Sequence, residues 1–295
     1  MGKRILLLGP LAFLLTQSKL AWACSSCGSG GADPVILNPS EQRKFYLGLN
    51  HQNSFQDIDL RGQVRASYGP QTKTQMEVAW AERLRPQLFG SIVLGYAYNR
   101  RAPDTASGLG DGTINLRYTV WQPSMLEPWL PQLQFMVSHR FGLGRSVYES
   151  KREHYLDVFG AGFDETSLGF DSWWGMNALV GGVSFIYSQP WEENTEAGAI
   201  RVGAAQKLIV SVGAMPWPEC KLLTGMVREQ RLATRLDGEA QAESDRLAGD
   251  AFFSAETLIP EGDNVRLIVS RKAALGRLKN TSRAWSYTLA WMRTL

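Results

Sequence analysis

Several features that would point to common function classes are missing from this 295-residue chain. After residue 23 no run approaches the about 18 to 20 apolar residues that a membrane-spanning helix requires, which excludes a helical membrane bundle. Lysine and arginine total 31 against 28 aspartate and glutamate, and no stretch gathers the basic residues into a cluster. The small net charge of +3 and this even spread argue against nucleic acid as a partner.

What is present is a strict two-residue alternation, clearest between Leu88 and Trp121. One face of Leu88–Tyr98 carries large apolar and tyrosine side chains, and the other carries small ones. After the Gly-rich stretch Gly108–Gly112 the pattern restarts, with Ile114, Leu116, Tyr118 and Val120 on one face. Side chains on a strand point alternately to opposite faces, so this is the pattern of two long strands. We interpret Gly108–Gly112 and the polar residues before it as the loop that joins them.

A transmembrane barrel explains this pattern better than a soluble sandwich does. A barrel turns the apolar face to lipid and keeps the small and polar face inside. Most of the alternating segments run eight to twelve residues, close to the about 9 to 11 that a bilayer-crossing strand needs. The chain ends in an aromatic alternating strand, with Trp285, Tyr287, Leu289 and Trp291 on one face. We therefore predict an all-β protein, an antiparallel transmembrane β-barrel of about twelve strands in the outer membrane of a Gram-negative bacterium.

The N-terminal residues have the composition of a secretory signal peptide. Lys3 and Arg4 form a basic start, Ile5 to Leu15 an apolar core, and Ala21-Trp22-Ala23 a small-x-small cleavage site. We predict three segments on this basis. Residues 1–23 are a signal peptide that is removed, residues 24–42 are a periplasmic N-terminal segment, and residues 43–295 are the barrel.

Cleavage after Ala23 would expose a Cys-x-x-Cys sequence, Cys24 to Cys27, at the new N-terminus. Three interpretations stay open. Cys24 could be lipidated, although Trp22 is bulky for a lipoprotein signal. The two thiols could form a structural disulfide in an oxidising compartment. They could instead be a metal site, since two thiolates suit copper or zinc but do not by themselves complete a coordination shell. No other cofactor is expected.

The third cysteine, Cys220, lies in a Pro-rich turn between two alternating segments. Tight turns of outer-membrane barrels face the periplasm, so we expect Cys220 on the same side as Cys24 and Cys27. Three thiols on one side would favour metal binding. An unrelated half-buried cysteine is the simpler interpretation.

Four other segments carry predictions that the fold can test. Residues 61–68 read as a weak strand, residues 169–189 as two short strands, and residues 200–214 as one long strand. Residues 142–168 read as the longest external loop.

The face opposite the apolar one should line the lumen, and it leans basic. The charged residues predicted to line it are Glu77, Arg117, Arg140, Arg201, Lys207 and Arg266, with Glu229 as a further acid. A basic constriction favours anionic solutes. The alternative is that each cation pairs with an acid and stabilises a barrel that its own side chains largely fill.

The stretch Gly108-Leu-Gly-Asp-Gly-Thr-Ile-Asn-Leu-Arg-Tyr118 resembles a motif of transporter-like outer-membrane barrels associated with the meta-cleavage pathway of phenol degradation. The tight turn Arg83–Gln87 also resembles that family, whereas Phe141–Gly144 departs from its usual Pro-Thr-Gly loop. The resemblance implies a transporter-like outer-membrane barrel associated with aromatic compounds. The Cys-x-x-Cys start is instead similar to the N-terminus of the porin-like sheaths of electron-transfer conduits.

Three function classes follow from these observations. We predict a pore or transporter for small anionic or aromatic solutes, with outer-membrane lipid and the solute as partners. A sealed barrel that acts as a metal-binding or electron-transfer accessory through Cys24 and Cys27, with a periplasmic partner, is the alternative. An outer-membrane lipase is disfavoured because Ser138 and His139 are strand neighbours and face opposite sides. No catalytic residue is therefore expected.

Overall fold

A computed structural model describes residues 35–122, 130–176, 178–195, 198–217, 219–259 and 262–295. No helix in these ranges is both long and apolar enough to cross a membrane. The same ranges contain the following β-strands: β1 (Arg43–Ile58), β2 (Val64–Ala66), β3 (Thr72–Arg85), β4 (Leu88–Arg101), β5 (Asp104–Trp121), β6 (Gln132–Phe141), β7 (Glu165–Met176), β8 (Leu179–Pro190), β9 (Glu192–Thr195), β10 (Gly198–Arg201), β11 (Ala205–Trp217), β12 (Cys220–Arg231), β13 (Arg235–Leu236), β14 (Glu239–Ala240), β15 (Arg246–Leu258), β16 (Asp263–Lys272) and β17 (Thr281–Thr294).

Twelve of these strands form a closed antiparallel barrel. Each wall strand pairs with the next wall strand along the chain, and β17 pairs with β1 from Lys44↔Thr294 to Ile58↔Thr281. The short strands β2, β9, β10, β13 and β14 lie outside this wall. Closure leaves no free sheet edge, as a spanning sheet requires. The predicted fold class and strand number are confirmed.

The alternation in the sequence sorts side chains between outside and inside. Large apolar residues on one face of each strand are exposed, as the band that faces lipid. Examples are Leu49, Ile92, Leu94, Leu116, Val137, Phe185, Val212 and Leu289. The opposite face is buried and mostly small or polar. Examples are Ser91, Asn115, Gln134, Ser184, Ser211, Ser254 and Ser286.

The connections differ in length at the two ends of the barrel. At the end that holds Arg43 and Leu295, β3–β4, β7–β8, β11–β12 and β15–β16 are joined by tight turns. The longest connections, residues 142–164, 191–204 and 232–245, lie at the opposite end. Barrels of the outer membrane have short periplasmic turns and longer extracellular loops, which assigns the first end to the periplasm.

The Gly108–Gly112 stretch is part of strand β5, so its prediction as a loop was wrong. β4 and β5 are joined at Ala102-Pro103, and the ladder shifts register opposite Gly95. At this bulge a Cβ atom on Gly110 would approach the Gly95 backbone to 3.3–3.5 Å, so glycine suits the close packing of the two strands. Asp111 continues the inward alternation of Thr113 and Asn115 and faces the lumen.

The strand predicted from residue 200 to 214 is interrupted. β10 belongs to a separate four-stranded sheet, in the order β14-β13-β10-β9, which the two loops after β8 and β12 build at the extracellular end. The wall strand β11 begins only at Ala205. The weak strand predicted at 61–68 is the three-residue β2, which pairs with the extracellular end of β1. Residues 169–189 fall in two strands, β7 and β8, as predicted.

Candidate functional site

The lumen between the two rims holds more basic than acidic side chains. Apart from Lys44 and Arg83, which contact the N-terminal segment, the inward-facing basic residues of the wall are Lys73, Arg117, Arg140, Lys207, Lys221, Arg231, Arg246, Arg266 and Lys272. The inward-facing acidic residues are Glu77, Asp111, Glu165, Asp171, Glu229, Asp250 and Glu256. The lumen is thus lined by charges of both signs with a small cationic excess.

Two of the predicted lumen residues sit in buried ion pairs. Arg117 on β5 pairs with Asp171 on β7, and its other terminal nitrogen lies 3.2 Å from the sulfur of Met136. Arg266 on β16 donates to Glu256 on β15, with Nε–Oε2 and Nη2–Oε2 distances of 3.0 Å. These two guanidinium groups are neutralised by acids of the wall, so they stabilise the barrel and leave little charge to bind a solute.

A looser cluster of charges lies nearer the extracellular side. Arg140 Nη2 lies 3.2 Å from Glu165 Oε2, and Arg231 Nη1 lies 3.4 Å from the same oxygen. Arg140 Nε is 3.7 Å from Asp111 Oδ2. The two arginines therefore share one carboxylate, and part of their charge faces the lumen.

Lys207 lies between two cavities. A cavity of about 290 Å³ is lined by Glu77, Ser138, Arg140, Lys207 and other polar residues. A second cavity of about 440 Å³ is also lined by Lys207. Lys207 Nζ is 4.0 Å from Glu229 Oε2, while Arg246 Nη1 and Arg231 Nε are 3.7 and 4.0 Å from Glu229 Oε1, so three cations share one acid.

Arg201 is the predicted lumen residue that the structure places elsewhere. It is exposed in β10, on the small extracellular sheet, and not on the wall. The alternation of residues 200–214 continues across the break between β10 and β11. For that reason the sequence pattern placed Arg201 in the lumen.

The loop between β6 and β7, residues 142–164, folds into the extracellular end of the barrel. Asp111 accepts hydrogen bonds from the backbone N–H groups of Gly144 (3.2 Å), Ala161 (2.6 Å) and Gly162 (3.4 Å). The Asn99 side-chain amide donates to the carbonyls of Leu156 and Val158 at 2.9 Å. The loop that we predicted as external is therefore anchored to the inner wall.

An internal network keeps this loop ordered. Burial would raise the pKa of Asp157, but hydrogen bonds from the Ser150 hydroxyl, the Lys151 backbone and the Arg145 guanidinium outweigh burial and hold the pKa well below its usual range. Asp157 thus remains ionised at neutral pH, and the network persists.

Phe159 of this loop separates an outer space from the lumen. It lines both an extracellular cavity of about 830 Å³ and the central one of about 290 Å³. Its ring occupies the position next to Gly108, where a Cβ atom would come within 2.4 Å of it. The Gly-Leu-Gly-Asp sequence thus seats the loop with its first glycine and holds it with its aspartate.

We expect Asp111→Ala to release this loop. Three backbone donors lose their acceptor, at a cost of about 1–3 kcal/mol, which corresponds to a roughly 5- to 150-fold increase in local opening. The measurement is the rate of trypsin cleavage after the exposed Lys151 and Arg152 in the folded barrel. Asp104→Ala, an exposed aspartate at the β4–β5 turn, is the control, and equal cleavage of both variants would contradict the anchoring role.

The N-terminal segment also lies inside the barrel. Val35, Ile36 and Leu37 are 0–1% exposed. They form one apolar cluster with inward-facing residues of β1, β3, β4 and β17: Tyr46, Ala79, Ala81, Phe89, Val93, Ala290 and Met292. The sequence predicted a short periplasmic lead-in here, and the structure packs residues 35–42 into the periplasmic mouth of the barrel. We call residues 35–42 the plug.

Polar contacts fasten the plug to the wall. Lys44 donates to the Ile36 carbonyl at 3.1 Å and pairs with Glu41 at 2.5 Å. The Arg83 guanidinium donates to the carbonyls of Asn38 (2.6 Å) and Glu41 (2.9 Å). The hydrophobic pattern could not reveal this arrangement, because three apolar residues in a row fit many environments.

The cysteine prediction concerns residues that are mostly outside the described ranges. Cys24 and Cys27 lie outside them, so binding of copper or zinc there stays a prediction. Cys220 is half-buried and free at the start of β12, at the periplasmic end. Over the ranges that the structure describes, no group of three or more His, Cys, Asp or Glu side chains could hold a metal ion.

Ser138 and His139 lie on opposite faces of the wall. Ser138 lines the central cavity, whereas His139 contacts Phe141 and Trp191 with ring centroids at 4.6 and 5.5 Å on the outer face. The two side chains cannot act as a dyad.

Comparisons with known proteins identify the fold. No protein-family model and no curated protein matches the sequence. The chain is similar to the COG4313 outer membrane channel from Pseudomonas putida F1, at 12% identity and a TM-score of 0.70 over 88% of this chain and 97% of that chain. It is also similar to NanC porin (9% identity, TM-score 0.51, 84% and 100% covered). A third similar structure is a deletion mutant of the TodX monoaromatic hydrocarbon channel (8%, 0.50, 86% and 91%). The shared fold is that of outer-membrane β-barrels.

Proposed function

We propose that this outer-membrane barrel is a channel for small polar solutes, that it prefers anions, and that the plug narrows it at the periplasmic mouth. The observation that carries this proposal is the lumen between Phe159 and the plug. It contains two neighbouring cavities that share Lys207 in their walls, rather than a packed apolar core, and its basic residues outnumber its acidic ones. In such a lumen the cations share their carboxylates, so each cation can release a carboxylate and bind a passing anion in its place.

The arrangement of the charges favours an anion-selective channel over a sealed barrel. Arg140 and Arg231 share Glu165, while Lys207 and Arg246 share Glu229. A barrel built only for stability would pair each buried cation with its own acid, as Arg117 does with Asp171. Shared acids leave fractional positive charge at the cavity walls, where a carboxylate or phosphate solute can bind.

The sequence predicted aromatic solutes and anionic solutes, and aromatic carboxylates meet both expectations. The resemblance of Gly108–Tyr118 to barrels of the phenol meta-cleavage pathway suggests aromatic compounds, and the lumen favours an anionic group. Phe159 and Phe163, which lies under the Arg140 guanidinium at 5.4 Å, offer ring contacts beside the cationic cluster.

The test is ion selectivity in planar bilayers. In a gradient of potassium chloride the reversal potential should indicate preference for chloride, and benzoate should carry more current than acetate. Lys207→Gln combined with Arg246→Gln should remove most of the preference, whereas Lys151→Gln, in the exposed part of the loop, should leave it unchanged. A cation-selective wild type, or a barrel without openings under any condition, would overturn the proposal.

A further inference from the structure

Four arginines form a patch on the outer surface near the extracellular end of β12, β16 and β17. They are Arg228, Arg271, Arg277 and Arg283, and we call them the outer arginine patch. Arg228, Arg271 and Arg283 lie at outward-facing register positions of the wall, and Arg277 lies in the β16–β17 loop beside them. Within the described part of the chain, no carboxylate lies within 4.0 Å of any of the four guanidinium groups.

The patch lies at the boundary of the apolar band. Along β17 the outward residues between Arg293 and Arg283 are all apolar or aromatic: Trp291, Leu289, Tyr287 and Trp285. The ten steps from Arg283 to Arg293 span about 33 Å along the strand, and a tilt of about 40° reduces this to about 25 Å, the height of a barrel's apolar band. Arg283 and its neighbours therefore lie level with the headgroups of the outer leaflet.

Contacts hold these guanidinium groups in place without neutralising them. Arg228 Nη1 donates to the Arg277 carbonyl at 3.1 Å and packs under Gly276, where a Cβ atom would come within 2.8 Å of that nitrogen. The Arg271 guanidinium lies 5.5 Å from the centre of the Trp285 ring. Arg283 Nη1 donates to the Gln56 side-chain oxygen at 3.3 Å.

The spacing of the patch suits one ligand with several anionic oxygens. Arg271 pairs directly with Trp285 across the β16–β17 ladder, and Arg283 is two residues further, so their Cα atoms are roughly 7–8 Å apart. Arg228 and Arg271 flank β15, whose residues between them are Gly249 and Ala251. These small side chains leave a shallow path between the arginines.

Most of the cations inside the barrel, at least seven of the nine named above, are paired with an acid. Arg117, Arg140, Lys207, Arg231, Arg246, Arg266 and Lys272 each have a carboxylate within 4.0 Å. Clustered arginines without an acid repel one another, and an external anion would relieve this repulsion. Arginine's planar fork binds phosphate through paired charge-assisted hydrogen bonds.

We propose that the outer arginine patch binds the phosphate groups of the phosphorylated glycolipid, lipid A, in the outer leaflet. The acyl chains would run along the apolar outer faces of β16 and β17, over Leu267, Tyr287 and Leu289. Trp285 lies between the phosphate level and the acyl level, which is the usual position of an interfacial tryptophan. This lipid site is separate from the lumen and does not depend on the proposed channel function.

Native mass spectrometry of the folded barrel in detergent tests the proposal, with bisphosphorylated lipid A as the probe. The triple variant R228Q/R271Q/R283Q should lose binding by roughly tenfold or more, because three charge-assisted contacts are removed. R100Q is the matched control, since Arg100 faces outward near the extracellular end of β4 and lies three strands away from β17. Heat-modifiable mobility on gels checks that every variant is folded.

Two comparisons decide the chemistry. Lipid A without its phosphates should bind the wild type as weakly as intact lipid A binds the triple variant, and R271K/R283K should retain part of the affinity. Equal binding of intact lipid A to the wild type and the triple variant would overturn the proposal. So would equal affinity for phosphatidylglycerol, which would make the patch a site for any anionic headgroup.

Discussion

Deleting residues 24–41 should raise the single-channel conductance of the barrel by roughly an order of magnitude, because the plug packs against inward-facing residues of four neighbouring wall strands at the periplasmic mouth. Val35, Ile36 and Leu37 occupy the periplasmic mouth with buried side chains, whereas the extracellular barrier between cavities is the Phe159 side chain with its loop. The plug and the Phe159 loop are two resistances in series, and such resistances add. Removing the plug therefore lowers the total resistance and raises the current. Planar-bilayer recordings of the purified variant provide the measurement.

The same deletion should increase the preference for anions. Lys44 and Arg83 lose the acceptors that they have in the plug, the Ile36, Asn38 and Glu41 oxygens. Two cations are then exposed at the periplasmic mouth. A change in selectivity separates loss of the plug from a general loosening of the barrel, which would raise conductance without favouring either sign.

Substitutions at exposed residues of the same segment serve as the control. Ser40→Ala and Gln42→Ala should leave conductance and selectivity unchanged, because both side chains are exposed. The additional change Phe159→Ala in the deletion variant should raise the conductance further. If the deletion variant conducts no better than the wild type, the plug does not narrow the channel.

The second large effect concerns stability. Arg117→Met should destabilise the barrel by about 3–5 kcal/mol, because it leaves the Asp171 carboxylate buried without its partner. The side chains of Arg117 and Asp171 are 2% and 7% exposed, so water cannot substitute for the guanidinium. Urea unfolding in detergent micelles, followed by tryptophan fluorescence, measures the loss.

Two further variants identify the cause. In Arg117→Met with Asp171→Asn the buried charge is gone, and most of the lost stability should return. Arg43→Met breaks the exposed pair with Glu82 at 3.0 Å and should change stability by less than about 1 kcal/mol. If Arg117→Met and Arg43→Met lower the free energy of unfolding equally, burial of the Arg117–Asp171 pair does not increase its contribution to stability.

The sequence alone was sufficient for the architecture, since alternation is a local property. In a barrel wall every second residue meets lipid, and the requirement for an apolar side chain at those positions appears directly in the order of residues. Segments such as Leu88–Tyr98 and Trp285–Leu295 therefore predicted wall strands, the strand number and the inward position of most lumen residues.

The same logic explains where the sequence misled. Arg201 continues the alternation of the following strand, yet it belongs to the extracellular sheet, because a change of sheet leaves the two-residue period intact. The Gly108–Gly112 stretch has the composition of a loop, but it lies in a strand, where Gly108 makes room for the Phe159 ring and Gly110 lies close to the Gly95 backbone at the bulge.

Only the tertiary structure decided what occupies the lumen. Alternation predicted that Arg117, Arg140 and Lys207 face inward, but not which acid lies opposite each. Their partners Asp171, Glu165 and Glu229 lie on other strands, 54, 25 and 22 residues further along the chain. The seating of the 142–164 loop on Asp111 and the insertion of Val35–Leu37 likewise join residues that are distant in sequence. Local patterns encode which side of the wall a residue faces, whereas contacts across the lumen depend on how the closed barrel brings separate strands together.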